Sequence, residues 1–564
     1  MPRPFQTLAF FLSLICCESY LINPCMFRAI SPRILSRSFA IANYDFRKSH
    51  QNIESMTSQR KRNLQLFMSS QTNGVGNINK PLVIIIAGPT AVGKSSVAAK
   101  ICKPEFATQI IQEHAKNNCT PNKDAEATGQ IISADSVQVY QGLQIGANKP
   151  SREEREATPH HLIDIVDSKS VCQYNAADWM RDAMQVLDRI TNPSSGSDDE
   201  AVLDVNTKAR KARIDKFLFQ NTEVENEVLP VIVGGTMMYL QWLVHGRPDA
   251  LKPSQDAIER AANIVAKYEA QDGEEGGWIA AVEHASSLGT LFEDRVKKLP
   301  GKDWYRLRRT LEVAYTVLDD GDKEEKIKQL YNGQRHGGLD ASPFYDVRCF
   351  FLCPDDRMTH TAVVDSRCEE MILKGLMKET SDLSLSGQLP EEGQQARAIG
   401  YRQTLEFLKR DNGSPDDKAF GEYLDDFTTA TRRYAKKQMQ WFRKDDRFIF
   451  IPVPLSQPSS LRVDEVANTI KELCTIPREE FEKELAPAPV DNDKKKAKTE
   501  KLTDEESMLP LSARTKLTNE RQGKNMKFYQ NKRHTLVTGS EAYNTALKEA
   551  TECAEQMLAV AQEK

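Results

Sequence analysis

Leu82-Val-Ile-Ile-Ile-Ala87-Gly88-Pro-Thr-Ala-Val-Gly93-Lys94-Ser95-Ser-Val-Ala98 decides the fold of this chain. The six apolar residues Leu82 to Ala87 are too few for a typical globular helix, and Pro81 and Gly88 bound them. They read as a strand buried on both faces, as in a parallel sheet. The run opens into Gly88-x-x-x-x-Gly93-Lys94-Ser95, after which Ser96 onward suits a helix. Strand, GxxxxGK[ST] and helix together make a phosphate-binding loop (P-loop). Gly88, Pro89, Thr90, Ala91, Val92, Gly93, Lys94 and Ser95 are therefore the candidate diphosphate cradle. Backbone N–H groups close round phosphate oxygens at a positive helix end, Lys94 adds a point charge, and the Ser95 hydroxyl is a candidate Mg²⁺ ligand. Such a loop recognises a diphosphate or triphosphate tail and leaves the chemistry open.

The 564 residues allow roughly two or three compact units plus tails. A net charge of −4 means that any nucleic-acid site must be a local patch. Eleven cysteines form no C-x-x-C pair and no two-Cys, two-His zinc spacing, so neither a zinc site nor a disulfide framework is indicated. Mean hydropathy is −0.54, which suits a soluble protein. The longest apolar stretch, Leu8 to Cys17, is too short to span a bilayer, so no membrane partner is expected.

Arg3 precedes that stretch as in a signal peptide, and Ser19 to Tyr44 holds arginines and serines but no acid. This is the composition of a transit peptide, so residues 1–50 read as a leader into a plastid or mitochondrion, with a cytoplasmic protein as the alternative. Ile101–Gln130 shows no clear periodicity and reads as ending in a surface insertion. Ile131-Ile-Ser-Ala-Asp135 is a second strand ending in a carboxylate, and strand carboxyl ends are where open α/β sheets bind ligands. Asp135 is thus expected beside the loop, as a base or a metal contact. His160-His161 with Asp164 suggests a metal site, but hydrogen bonding at a strand start suits them better. A helix is expected over Tyr174–Asp188, and 191–225 reads as looped out. Leu229 to Gly234 is another strand, whose Gly234-Gly235-Thr236 ending admits a ligand close to the backbone.

From 250 to 340 the pattern turns helical and charged, with Arg306, Arg308 and Arg309 on one helix. Strand character returns at Val347, so this block reads as an insertion into the sheet. Thr431–Lys444 carries six basic residues, no acid, and interleaved aromatics, which reads as a phosphate-backbone contact with stacking groups. Residues 484–510 are poor in apolar groups, and Ala542, Ala546, Ala550, Ala554 and Leu558 recur at helical spacing. The expected organisation is a leader (1–50), a linker (51–80), the first part of the core (81–249), the insertion (250–340), the second part of the core (341–480), a flexible linker (481–535) and a C-terminal helix (536–564).

GPTAVGKS, ISADSVQVYQGLQIGANKP, HHLIDI, VGGTMMYL, RLRRTLEV, RAIGYRQ and TRRYAKKQMQWFR occur in one order over about residues 80–475. This series resembles the tRNA dimethylallyltransferases (tRNA isopentenyltransferases), in the bacterial-type branch found in plants and algae. Departures are few: Ala147-Asn148 stands where Thr-Ala is usual, Met237-Met238 where Gly-Leu is common, and Thr310 where Ala is usual. The resemblance implies a P-loop NTPase-like α/β core, its parallel sheet flanked by helices, with an inserted, mainly helical tRNA-binding domain. It implies transfer from dimethylallyl diphosphate to N6 of the adenosine 3′ to the anticodon, with Mg²⁺ and a monomeric enzyme. Asp135 is then the base, and Thr236 with Arg309 or Arg306 assists at the diphosphate. Asp135, Ser136, Val137, Gln138, Arg397, Gly400, Tyr401, Arg402, Arg433, Lys436, Lys437, Gln438, Trp441 and Arg443 then meet the anticodon stem-loop. Competing readings are an adenylate isopentenyltransferase making free cytokinins, a P-loop kinase, and a non-catalytic RNA-binding protein.

Overall fold

A computed structural model of the chain describes residues 80–116, 126–169, 174–192, 205–221, 227–248, 253–270, 276–319, 335–340, 342–391, 393–410, 415–485 and 502–563. All lie in the unit Ile78–Lys564. The leader over 1–50 and the linker up to residue 79 fall outside the described residues.

Six parallel strands form the central sheet: β1 (Leu82–Ala87), β2 (Ala127–Ala134), β3 (His160–His161), β4 (Glu227–Gly234), β7 (Asp346–Pro354) and β8 (Phe448–Val453). Their spatial order is β3-β2-β4-β1-β7-β8, and the short strands β5 (Arg247–Pro248) and β6 (Arg335–His336) pair apart from them. The apolar run of β1 needs both faces covered, and it has them. Val83, Ile85 and Ala87 join a core with Trp179, Leu240 and Phe351, while Ile84 and Ile86 join another with Val97, Phe106 and Ile470. The second core is closed by α1 (Lys94–Ile101), α2 (Pro104–Lys116) and, from further along the chain, the helix Ser459–Thr475. On the first face lie α3 (Ala176–Thr191) and α4 (Met237–His245). Ala134 and Ala87 both register with Gly234, so β1, β2 and β4 end at one level and their loops emerge side by side.

Among the described residues, α4 is followed by four more helices before β7: α5 (Gln255–Ala270), α6 (Gly276–Ser287), α7 (Thr290–Val296) and α8 (Trp304–Leu318). Ala257, Ala261, Leu307 and Leu311 give them a core of their own, as an inserted domain requires. After β7 come α9 (Arg357–Leu373), α10 (Leu376–Leu385), α11 (Tyr401–Leu408) and the long α12 (Asp417–Arg443).

Some local expectations fail. Pro104–Lys116 is a packed helix burying Phe106 and Ile110, where no periodicity was expected. Within 191–225, Val205–Asn221 is helical, not looped out. It buries Ile214 and Leu218 and donates from Arg210 Nε to Asp182 Oδ2 at 2.7 Å. The largest departure is at the C-terminus. Of the linker expected over 481–535, residues 502–535 are packed structure and only 486–501 fall outside the described residues.

This terminal strap begins with α15 (Leu511–Gly523), which follows α13 (Ser459–Thr475) and α14 (Arg478–Glu484) in the chain. Phe450 N of β8 donates to Ser512 Oγ at 3.0 Å, and the Lys516 ammonium lies 4.9 Å from the Phe450 ring centre. Gln522 accepts from Arg357 N at 3.1 Å and donates to Asp355 O at 2.6 Å. Tyr529 Oη donates to Asp365 at 2.6 Å, and buried Glu369 accepts from the backbone of His534, Thr535 and Leu536. The strap thus follows α9 from its first turn to Glu369. It ends in α16 (Glu541–Glu563), which buries Ala546, Ala550 and Ala554 from the expected stripe.

Candidate active site

The loop after β1 turns on two left-handed residues, Ala91 (φ 65°) and Gly93 (φ 96°). An alanine in that region is strained, a common mark of a ligand-binding turn. Gly88 has a separate reason: a Cβ there would stand 2.9 Å from Leu352 O of β7. Lys94 opens α1 and folds back, its Nζ donating to Pro89 O at 2.7 Å. Although Lys94 keeps some solvent exposure, its ammonium is enclosed by protein. Burial first, then the Arg367 guanidinium, push its pKa down to about 7, and Asp135 opposes the shift. Ser95 is exposed in the same helical turn.

Asp135 follows β2 directly. Its Oδ1 accepts from Val137 N at 2.8 Å and Gln138 N at 3.2 Å, while Oδ2 has no hydrogen bond among the described residues. Two donors on one oxygen hold the carboxylate still and leave the other oxygen for a substrate proton. Thr236 N donates to Ala134 O at 3.2 Å, and Thr236 Oγ1 accepts from Ser136 N at 3.0 Å. The loops after β2 and β4 are therefore joined at the residues expected to act. Arg367 of α9 was not expected from the sequence. It interacts electrostatically with Lys94 and Asp135 across this cleft and has no hydrogen bond among the described residues.

The two glycines of Gly234-Gly235 do not make room for a ligand. A Cβ on Gly234 would meet Ala134 O at 2.1 Å, and one on Gly235 would meet Gln438 Nε2 at 2.3 Å. They admit the neighbouring strand and a side chain of α12.

Arg306 and Arg309, expected at the diphosphate, are engaged within α8. Arg306 Nη1 donates to Asp303 at 3.0 Å, and Arg309 pairs with Glu312, which also takes Arg308 Nε at 2.9 Å. Buried Glu312 lies three and four residues beyond these arginines, so a helical turn suffices to pair them. None of the described contacts of Arg306 or Arg309 reaches the phosphate loop, whereas the Arg367 guanidinium is near enough to help depress the Lys94 pKa.

The expected tRNA set divides by burial. Arg433, Lys436, Lys437, Arg397 and Arg402 are exposed. Buried Tyr401 instead donates to Glu379 Oε1 at 2.6 Å, beside the backbone of Gly146 that Glu379 also holds. Gly400 (φ 96°) precedes α11 under the Phe427 ring. Gln138 is turned inward, accepting from Ser133 Oγ at 2.8 Å and donating to Asn148 O at 3.1 Å. Trp441 is partly buried against the core, and Arg443 donates to Asn519 of the strap at 3.1 Å. Gln438 is 1% exposed and binds two loops of the cleft. Gln138, Gly400 and Tyr401 were assigned to RNA by the family resemblance, and Gln438, Trp441 and Arg443 also because a basic, aromatic run reads the same whichever way each side chain turns. His161 is structural: its Nε2 lies 2.7 Å from Gln130 Oε1, and burial pushes its pKa down to about 3.

The model of the IPP transferase family matches residues 138–195 and 204–445 of this chain. The chain belongs to that family. A tRNA dimethylallyltransferase of Arabidopsis thaliana is 32% identical over 390 residues, 64% of this chain and 70% of that protein. One from Protochlamydia amoebophila is 28% identical over 389 residues, covering 67% and 86%. Among solved structures, a eukaryotic dimethylallyltransferase acting on tRNA matches with a TM-score of 0.43 and 21% identity over 70% of this chain and 80% of that one. A tRNA isopentenylpyrophosphate transferase of Bacillus halodurans gives 0.38 and 23% over 70% and 96%. The family's match stops at Arg443-Lys444-Asp445, before β8 and the strap.

Proposed function

We propose that this chain transfers a dimethylallyl group from dimethylallyl diphosphate to N6 of the adenosine 3′ to the anticodon of tRNA, releasing diphosphate. One observation carries the reading: Lys94 in the loop after β1 and Asp135, a carboxylate with one free oxygen directly after β2, stand beyond strand ends that share one level of the sheet. An exocyclic purine amine is a weak nucleophile, so its proton must leave as the N6–C1 bond forms and the C1–O bond breaks. Asp135 Oδ2 receives that proton. Charge growing on the departing diphosphate is met by the loop N–H groups, Lys94 and Arg367. The Ser95 hydroxyl, a hard oxygen donor in the first turn of α1, fits Mg²⁺, which when bound supplies further charge neutralisation to the diphosphate. The adenosine must leave its stack to reach the cleft, as base-modifying chemistry requires. Nucleoside mass spectrometry of unmodified tRNA incubated with the protein and dimethylallyl diphosphate tests this. Dimethylallyl-adenosine is expected in tRNA, and product on free adenylate alone would favour the cytokinin route.

The exposed face of α12 favours the polymeric substrate. Arg433, Lys436 and Lys437 stand clear of the core, whereas Arg432 is neutralised by Asp365 at 2.8 Å. Replacing the three exposed residues with alanine is expected to weaken tRNA binding and to flatten its salt dependence by about 2 in slope, at ~0.7 per single-strand phosphate contact. Transfer at saturating tRNA should change far less. An unaltered slope would make this an ordinary solvated face.

Residues 1–50 are read as an import leader, so a reporter fused behind them should enter a plastid or mitochondrion. Diffuse cytosolic fluorescence is the outcome that defeats this reading.

A further inference from the structure

Gln438 lies on α12 among basic residues, yet its amide is spent entirely inside the cleft. Its Oε1 accepts from Thr90 N at 2.9 Å, in the phosphate loop, and its Nε2 donates to Gly235 O at 2.9 Å, in the loop after β4. Gly235 has no room for a Cβ because that amide occupies the space. Thr90 is gripped from its other side as well, since its carbonyl lies 2.9 Å from His360 Nε2 of α9. A carbonyl only accepts, so His360 Nε2 is the donor there, and burial, which pushes its pKa down to about 4, keeps the ring neutral. Thr90 is therefore fixed at its N–H and its C=O by two helices, one of which also joins it to the neighbouring strand loop.

We propose that Gln438 is a positioning residue for the diphosphate: it sets the phosphate loop against the Gly235–Thr236 loop and does not contact RNA. This deepens the transferase reading and rests on it. A primary amide offers a donor and an acceptor at its tip without a charge at any pH, as the two loops demand. Without it, Thr90 N–H loses its partner and Gly235 O keeps only the longer contact from Tyr434 Oη at 3.4 Å, and a loop shifted by about 1 Å can cost ~10²-fold in a positioned reaction.

The test uses the full chain with Gln438→Met, which matches the shape but not the polarity, and Gln438→Glu. Ionised, the introduced carboxylate opposes Gly235 O with a second acceptor; protonated, it offers one donor and one acceptor as glutamine does. Lys94, Asp135, Tyr434 and His360 are the titratable groups about this junction. They are common to wild type and variant, so the readout is the ratio between them at each pH. Binding of inorganic diphosphate is measured by calorimetry from pH 5.5 to 8.5, with the KM for dimethylallyl diphosphate, kcat and tRNA affinity alongside.

Gln438→Met should raise the diphosphate Kd and the KM about tenfold or more at every pH, with tRNA affinity unchanged. Gln438→Glu should match it at pH 8.5 and recover toward wild type as pH falls. If Gln438→Met does not fold, the Gln438→Glu ratio decides alone. A pH-independent ratio near one, or lost tRNA affinity with diphosphate binding intact, overturns the proposal. Calorimetry needs no turnover, so a wild-type protein that fails to modify tRNA counts against the transferase reading and leaves this result standing.

Discussion

Asp135→Asn should bind tRNA and diphosphate as the wild type does and lose transfer by about 10²–10⁴-fold, the usual contribution of a positioned base. The substitution keeps the shape and the Oδ1 that accepts from Val137 and Gln138. It replaces the other oxygen with an amide nitrogen, which has no lone pair available for a proton. Fold and substrate binding are thereby separated from chemistry. Single-turnover transfer measures the step directly, and a rate within a few-fold of wild type would remove Asp135 from the role of base.

Lys94→Ala is expected to be as damaging for a different reason, because it removes the cation enclosed in the phosphate loop. Diphosphate binding should weaken by about two orders of magnitude, the scale of losing a buried charge-assisted contact. The wild type should also show a proton signature. In the free protein Lys94 titrates near 7, so it is mostly neutral at pH 8. A bound polyanion favours the ammonium, which raises its pKa, so binding takes up a proton above pH 7 and much less below it. Affinity for diphosphate should accordingly fall as pH rises beyond 7. Calorimetry of inorganic diphosphate in metal-free buffers of different ionisation enthalpy reads the uptake. The same uptake in Lys94→Ala would assign the titration to another group.

The sign for folding follows from the same depression. A lysine whose folded pKa lies below its unfolded value opposes folding most where both states are protonated, because the fold must then enclose the charge. Its destabilising effect is complete below pH 7 and relieved between 7 and 10.5.

The phosphate loop, the strands that flank it and Asp135 were legible because each depends on residues close in sequence. A six-residue apolar run needs two covered faces, and glycine, lysine and serine at fixed spacing need only a turn and a helix start. Arg367 carries no local signal: Val364-Asp365-Ser366-Arg367-Cys368 reads as any helix, and only the packing of α9 beside the P-loop gives the guanidinium its place. Gln438 was misplaced because composition ranks a segment and not its faces. Three residues of one turn, Lys436, Lys437 and Gln438, point two outward and one inward. Residues 502–535 looked like a linker because their buried groups are largely polar. Ser512, Lys516, Asn519 and Arg521 are buried with partners that the segment itself does not contain, save Glu506 for Arg521.

The strap has a consequence for how the protein is made. Synthesis runs from the N-terminus at about 5–20 residues per second, and domains usually fold in that order. Here β8 lacks α15, and Glu369 lacks its three N–H donors, until residues 511–536 have been made. The helix that carries His360 and Arg367 is thus finished by residues translated more than a hundred codons after it. For the several seconds that stretch takes, a nascent chain already holding every residue of the cleft has an open sheet flank and an uncovered acid. Completion of the cleft's surroundings therefore waits on residues 511–536, and a ribosome stalled between Gln438 and Leu511 would hold the cleft residues in an unfinished fold.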